Sequence, residues 1–536
     1  MSNSAALDGG RKGRGPKPAP AHAAPPEKAD LTAWLGVAAG AIGSLMATLD
    51  ISIVNASLPT IQGEIGASAS EGTWIATAYL VAEIVIIPLT GWLERVFGLK
   101  RFLLVAAILF TAFSILCGIS SNLQMMIFGR IGQGFTGGAM IPTAMTIIAT
   151  RLPRSQQPIG TAVFGATVIL GPVFGPLLGG WLTDNFSWHY AFFINVPVCA
   201  ALIALLLVGL PDEDMKLEEL IDADWFGIAG MSIGLGGLTV VLEEGHREQW
   251  FESPLIWQLS GITLLGFIFM GIGQFVARKP VIKLALLKNR EFAAVIIMAL
   301  ILGAVLYGTS YVIPQFLAAI AGNNAFQAGK IVFLSGVPAM MMMPLIPLMI
   351  RYVDLRVAVG LGFAAMAISC LLDTNLTAAS NGDAFVESQL LRGFGQVMGM
   401  MFLNQAALSA VSVEEAGDAS GLFNAARNLG GSICLALLAT VQDQRWEYHR
   451  WTLHSSVQAN DPAVQDYMQG AAMQYGGGPE GLAAAYRAID GLITRDALVM
   501  AFNDEFFLLT VGIAVVTPLV FLLKPLPKGQ VNMAMH

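Results

Sequence analysis

Three ionisable residues stand where charge is expensive. Asp50 lies in Ala47-Thr-Leu-Asp-Ile-Ser-Ile-Val-Asn-Ala-Ser-Leu-Pro59, a segment otherwise apolar from Leu31 onward; Glu83 and Arg130 lie in later apolar runs. A charge at membrane depth is costly unless it is paired or faces a water-filled path, so each of the three needs a function or a partner. With the chain entering a bilayer near Trp34, a rise of about 1.5 Å per helical residue lifts Asp50 about 24 Å; a return from Leu123 puts Arg130 about 10 Å below the far surface of a core about 30 Å thick. The two levels nearly coincide, so each charge can offset the other. Glu83 reaches a depth of about 15 Å, near the midplane, with no partner evident in the sequence. A desolvated carboxylate without a partner takes up and releases protons near neutral pH, which is the chemistry of proton coupling. Two readings stay open: Glu83, Asp50 and Arg130 as a proton-coupling set, or a static Asp50–Arg130 pair with Glu83 facing an inner water cavity without titrating.

The elements that carry these residues follow from composition. In 536 residues, 55% are hydrophobic and only 12% charged, against roughly 25% charged in soluble proteins. This is the composition of an all-α polytopic membrane protein. No basic cluster with interleaved aromatics points to nucleic acid. Cys117, Cys199, Cys370 and Cys434 sit in apolar runs without disulfide or metal-ligand spacing and read as core filler. No His/Asp, Cys/His or metal-ligating cluster gathers at one membrane level, so neither an enzyme nor a bound metal or cofactor is expected.

Residues 1–30, rich in Pro, Ala, Gly and base (Arg11, Lys12, Arg14, Lys17, Lys28), read as a disordered cytoplasmic tail. Fourteen apolar spans are expected, near 33–57, 72–93, 101–119, 123–149, 158–182, 190–210, 225–242, 254–277, 292–314, 326–350, 356–372, 385–410, 418–441 and 504–523. Most of the 29 Lys and Arg residues then fall on the side of the N-terminus, which places both termini in the cytoplasm. Pro88 to Lys100, with Arg95, lines up with Pro344 to Arg356, with Arg351; Arg130 and Gln133 are echoed by Arg392 and Gln396. Spans 1–6 thus match spans 9–14, giving an N-terminal six-helix half (31–210), two inserted helices (211–290), a C-terminal six-helix half (291–523) and a cytoplasmic tail (524–536). Two six-helix halves with a site between them form an alternating-access carrier.

Span 5 carries Gly171-Pro172-Val-Phe-Gly175-Pro176-Leu-Leu-Gly179-Gly180. Glycines at i, i+4 and i+8 let a neighbouring helix approach closely, and the prolines remove backbone donors and bend the helix. Asn55, Gln133, Tyr307, Tyr311, Gln315, Asn404 and Gln405 are the polar residues available to a substrate path, with Met340 to Met343 as a soft wall. A mostly apolar cavity with few polar anchors suits small lipophilic ligands. Between the last two spans, 442–503 is long for a carrier loop; Leu482, Tyr486, Ile489 and Ile493 fall at helical spacing and form an apolar stripe for a partner or for the carrier's own outer surface.

These motifs together resemble the major facilitator superfamily, in its fourteen-span drug:proton antiporter branch, the EmrB/QacA group. Leu49 to Pro59 is similar to that branch's span 1 motif. Gly91-Trp-Leu-Glu-Arg95-Val-Phe-Gly98-Leu-Lys100-Arg101 resembles the superfamily's loop between spans 2 and 3, Arg130-Ile-Gly-Gln133-Gly134 its span 4 motif, and Gly171 to Gly180 the span 5 motif of exporters. Trp188 to Pro197 and Asn503-Asp504-Glu505-Phe-Phe extend the likeness to all but the N-terminal tail. The resemblance implies a proton-coupled exporter of hydrophobic drugs or other toxic compounds in a bacterial inner membrane, driven by the proton gradient without a cofactor. It also implies a periplasmic adaptor protein and an outer-membrane channel as partners through 442–503. A dedicated exporter of one metabolite, a siderophore or a fatty acid, shares the same mechanism; a membrane-embedded enzyme is disfavoured by the two-fold repeat. The chain departs from the pattern at Arg95, where the family's loop usually has an acid, so an acid latch at that position does not carry over. His189 stands where Arg is usual and reads as an interfacial side chain. Glu83, lacking a partner, is the favoured proton carrier and Asp50 the pairing residue.

Overall fold

In lipid every backbone polar group must be satisfied within the chain, which leaves helices as the solution for apolar runs of this length. The computed structural model describes residues 28–524 except 154, 222, 278–279, 281–282, 413–414 and 459; the tails expected over 1–30 and 524–536 fall almost wholly outside the described residues. Among the described residues the structure is helical and contains no strand. The main helices are α1 (Leu31–Ile65), α2 (Trp74–Phe97), α3 (Leu99–Gly118), α4 (Leu123–Gly137), α5 (Met140–Arg151), α6 (Gln157–Asn185), α7 (Asn195–Gly209), α8 (Trp225–Gly245), α9 (Pro254–Val276) and α10 (Arg290–Ala319). They are followed by α11 (Ala325–Phe333), α12 (Gly336–Met342), α13 (Ile346–Tyr352), α14 (Leu355–Leu372), α15 (Val386–Ser409), α16 (Ala416–Ser456), α17 (Pro462–Gln474) and α18 (Gly478–Val516).

Ten helices among the described residues are long and apolar enough to cross a membrane, eleven with α6, whose two parts meet at 43° beside Pro172. Three further segments at expected span positions fall short for visible reasons. The chain from Leu123 to Arg151 is interrupted at Gly138, and that from Ala325 to Tyr352 breaks into α11, α12 and α13. The helix α15 is continuous but buries Ser388, Gln389, Arg392 and Asn404. Helices α8 and α9 pack on each other, and α8 also lies against α2 and α16. Most of α9 faces outward, with Leu264, Leu265 and Phe275 exposed.

The segment 442–503 differs from the loop expected of it. Helix α16 continues unbroken for 41 residues, about 60 Å at 1.5 Å per residue, twice a hydrocarbon core of about 30 Å. Helix α18 returns over 39 residues, with α17 packed beside it. Asp504 accepts from Arg445 at 2.5 Å and meets His449 at 2.7 Å, joining the two long helices where the hairpin leaves the bundle. Of the apolar stripe, Ile493 is buried, whereas Leu482 and Tyr486 are exposed. Gly481, Ala485 and Ala497 are also buried, and Gly481 sits against the Ala472 carbonyl of α17, where a larger side chain has no room.

The seam between α1 and α6 is set by the glycines of the span 5 motif. A Cβ at Gly171 would meet Thr48, one at Gly175 would meet Ser52, and one at Gly179 would meet the Ile53 backbone. Removing these side chains lets two helix backbones lie in contact, as in small-residue packing between membrane helices. Gly180, on another face, has open space around it. Gly175→Val is therefore expected to destabilise the fold by about 1–3 kcal/mol through overpacking, while Gly180→Ala leaves it unchanged. Thermal unfolding in detergent, followed by size-exclusion chromatography, distinguishes the two; equal melting of both variants would remove the seam's steric basis.

Candidate functional site

The Asp50 carboxylate is wholly buried and fully engaged. Arg130 Nη1 donates to its Oδ2 at 2.5 Å. Its Oδ1 accepts from Gln133 Nε2 at 3.0 Å and from Asn195 Nδ2 at 2.7 Å. Ser114 Oγ accepts from the same two amides, at 2.8 Å from Gln133 and 3.1 Å from Asn195. Arg130 also donates from Nε to the Ile75 carbonyl at 3.1 Å, and its guanidinium lies 4.3 Å from the centre of the Tyr79 ring. Four helices, α1, α3, α4 and α7, meet at this acid. Its positions on α4 follow from helix geometry: Arg130 and Gln133, three residues apart, share one face. A buried pair held by this many charge-assisted bonds fixes the packing of its helices, and removing one partner strands a charge. A second buried pair, Arg392 with Asp373 at 2.6 Å, stands among the later helices.

Glu83 is placed differently. It is 2% exposed, and its Oε2 has no hydrogen-bond partner among the described residues. The residue lines a small cleft with Leu80, Ile84, Thr239, Glu243, Tyr307, Asn428, Ser432 and Leu435, contributed by α2, α8, α10 and α16. Asn428 is oriented by two donors: Tyr307 Oη at 3.4 Å and Arg427 Nη2 at 3.3 Å both donate to its Oδ1. Its amide forms a hydrogen bond with Glu83, and the positive charge of the buried Arg427 also acts on Glu83. The acid without a partner in the sequence thus has one from α16, far along the chain.

The loop motif after α2 forms a latch at one end of the bundle. Arg95 Nη1 lies 3.0 Å from Asp418 Oδ1, and Lys283 Nζ lies 2.9 Å from Asp418 Oδ2. Asp418 is in the first turn of α16, where the helix dipole favours an acid. Gly91 allows α2 to touch Gly417 and Asp418 directly. The latch is therefore made with the base on the loop motif and the acid on α16. Gly98 takes a positive φ of 78° between α2 and α3, Lys100 pairs with Asp212 at 3.3 Å, and Arg101 is exposed. Glu94 is buried beside Thr143 and Thr146 of α5.

The residues expected along a substrate path are scattered. Tyr307 lines the cleft. Gln133 spends its amide on Asp50 and Ser114. Asn404 is buried with Nδ2 3.7 Å from Met145 Sδ; Tyr311 and Gln315 contact each other; Gln405 is half-buried and Asn55 exposed. The structure adds residues that sequence reasoning missed. Glu243 falls outside a span read as ending at 242, yet α8 runs to Gly245. Asp418 carries the signal of an acid opening a helix, and Asn195 stood within a quoted motif without a role. All four cysteines are buried and free.

Comparison with known proteins gives a consistent result. A family model described as Major Facilitator Superfamily matches residues 40–434. The chain is 33% identical over 485 residues to the colistin resistance protein EmrB of Acinetobacter baumannii, covering 90% of this chain and 94% of that one. It is 31% identical over 492 residues to the multidrug export protein EmrB of Escherichia coli K12, with 90% and 94% covered. It is 28% identical over 506 residues to the fatty acid resistance protein FarB of Neisseria gonorrhoeae, with 94% and 98% covered. Among solved structures, the human organic anion transporter MFSD10 (TETRAN) aligns with a TM-score of 0.56 at 15% identity, over 90% of this chain and 99% of that one.

The latch makes a direct prediction. Asp418→Ala removes the buried acid that Arg95 and Lys283 share and leaves them only the longer contacts with Glu219 at 3.9 Å and Glu415 at 3.8 Å, which loosens this end of the bundle. With the native cysteines replaced, the buried Ser420→Cys position should react with a maleimide several-fold faster when Asp418 is Ala than when it is retained; an unchanged rate would show that the ion pairs do not hold the helices together.

Proposed function

The chain belongs to the major facilitator superfamily, and from that membership we propose that it is a proton-coupled exporter working by alternating access. It is a multi-pass inner-membrane protein similar to multidrug export proteins, and a transporter rather than an enzyme is the reading these relatives support. The proposed arrangement is fourteen spans in two six-helix halves, with α8 and α9 inserted between them. Both termini are cytoplasmic, so the latch around Asp418 closes the cytoplasmic end and the α16–α18 hairpin stands in the periplasm. The length of that hairpin supports its use by a periplasmic adaptor leading to an outer-membrane channel.

The observation that carries this reading is Glu83: a buried carboxylate with one free oxygen, in a cleft walled by helices of both proposed halves. In the cycle, the inward-facing carrier takes a lipophilic compound from the cytosol or inner leaflet. It then rocks outward as the latch forms, and a proton from the periplasm binds Glu83, displaces the ligand and removes the charge that opposes return. The tight Asp50–Arg130 network keeps the helices of the N-terminal half together as this half moves. A second reading, export of fatty acids, draws on the name of the Neisseria relative and on Arg427, a buried cation that a carboxylate ligand could meet. Expression in an efflux-deficient host, challenged with lipophilic dyes and antibiotics and separately with long-chain fatty acids, separates the two.

Adding ethidium to the purified protein in weakly buffered detergent solution is expected to release protons, and Glu83→Gln to abolish the release. Full release from Glu83→Gln would remove Glu83 from the coupling role.

A further inference from the structure

One of the two helices proposed as an insertion, α8, brings an acid to the cleft. Glu243, two residues before Gly245, the last helical residue of α8, lines the same cleft as Glu83. Its Oε1 is shut off from solvent and has no hydrogen-bond partner. The remaining contact is to Ser432 of α16, one helical turn from the Asn428 that holds Glu83. The two carboxyls are thus served by successive turns of one helix, whose pitch is about 5.4 Å, and Tyr307 of α10 stands against both.

The charges around the two acids differ. Glu83 faces Arg427 and Asn428 from α16, Arg130 from α4, and Tyr79 and Tyr307. Glu243 faces Ser432, Tyr307 and Tyr311, together with Glu244 on its own helix. Glu244 is already neutralised by Arg247 at 2.5 Å and accepts from Thr77 at 3.1 Å. No cation acts on Glu243 among these groups. Glu243 is half-buried, but its enclosed oxygen is uncompensated, which is expensive and calls for a positive charge to be supplied; in a cleft too small for a side-chain cation, the available one is a proton.

We propose that Glu243 is a second proton-accepting carboxylate of the central cleft, contributed by the inserted helix, so that the carrier binds two protons per cycle rather than one. The inference rests on the proton-coupled reading above. Each acid gains one O–H bond on the periplasmic side and loses it on the cytoplasmic side, and nothing else in the step changes. Glu243, nearer the hairpin end, meets the incoming proton first, and Glu83 lies one turn deeper.

The test is proton binding itself, read by infrared difference spectroscopy of the purified, full-length protein between acidic and alkaline pH. The carboxylic-acid C=O stretch of the wild type should contain one component lost in Glu243→Gln and a different one lost in Glu83→Gln. Glu243→Asp should restore a component at a shifted frequency, which a purely structural role for the side chain would not produce. A Glu243→Gln spectrum identical to the wild type would overturn the proposal even if ethidium-driven proton release still depends on Glu83. If instead both components titrate but ethidium releases no proton from the wild type, the exporter reading fails while Glu243 stands as a proton site. Glutamine keeps the shape and the bond to Ser432, and matching melting temperatures of variant and wild type exclude a folding defect.

Discussion

The pairing of Asp50 with Arg130 is the constraint on which the architecture rests. Neither charge can be left alone in a dry interior: breaking such a pair by removing one partner costs about 3–5 kcal/mol. The structure answers with two amides, a hydroxyl and an aromatic face in addition to the pair itself, drawn from α2, α3, α4 and α7 around α1. Because Asp50 has no unused oxygen, it serves as a joint. In the proposed cycle the proton goes to an acid whose bonding is incomplete, and Glu83 is the candidate. The division of labour follows from hydrogen-bond supply: the acid within one helix cluster is saturated, while the acid facing the later helices is not.

Around that joint, close helix approach and reversible ion pairs do different jobs. Gly171, Gly175 and Gly179 bring α6 onto α1 with no polar contact to break, a permanent seam. At the other seam, α2 meets the start of α16 through Gly91 and the Asp418 ion pairs, a contact that charges hold and can release. Arg95 is 34% exposed and Asp418 only 1%, so this pair is worth more than a surface bridge and less than a buried one. That intermediate strength suits the opening and closing proposed for this end of the bundle.

Much of this was legible in the chain, and what was not has a physical cause. Depth counting along apolar runs brought Asp50 and Arg130 to one level because helical rise is constant. The glycine spacing in 171–179 named a close-packed face because only backbone contact requires it. Asp418 stood at the first position of its span, where nothing local names its partners. The acid at 243 was hidden by where a helix ends, since α8 outruns its apolar stretch and the residue read as loop. The long hairpin was hidden for the same reason, since α16 keeps its helix after its sequence turns polar. Partners of Glu83 were invisible because they come from α16, and no local spacing encodes a contact across hundreds of residues. The stripe at Leu482 and Tyr486 marks an exposed apolar face, and periodicity does not say what covers it.

The central claim is that Glu83 couples protons while Asp50 holds structure, and transport in proteoliposomes separates the two roles. Ethidium exchange at equal pH on both sides needs helix movement but no net proton transfer, whereas uphill accumulation in a pH gradient needs both. Glu83→Gln should keep exchange and lose accumulation, and Asp50→Asn should lose exchange as well. Accumulation by Glu83→Gln at the wild-type level would contradict the account.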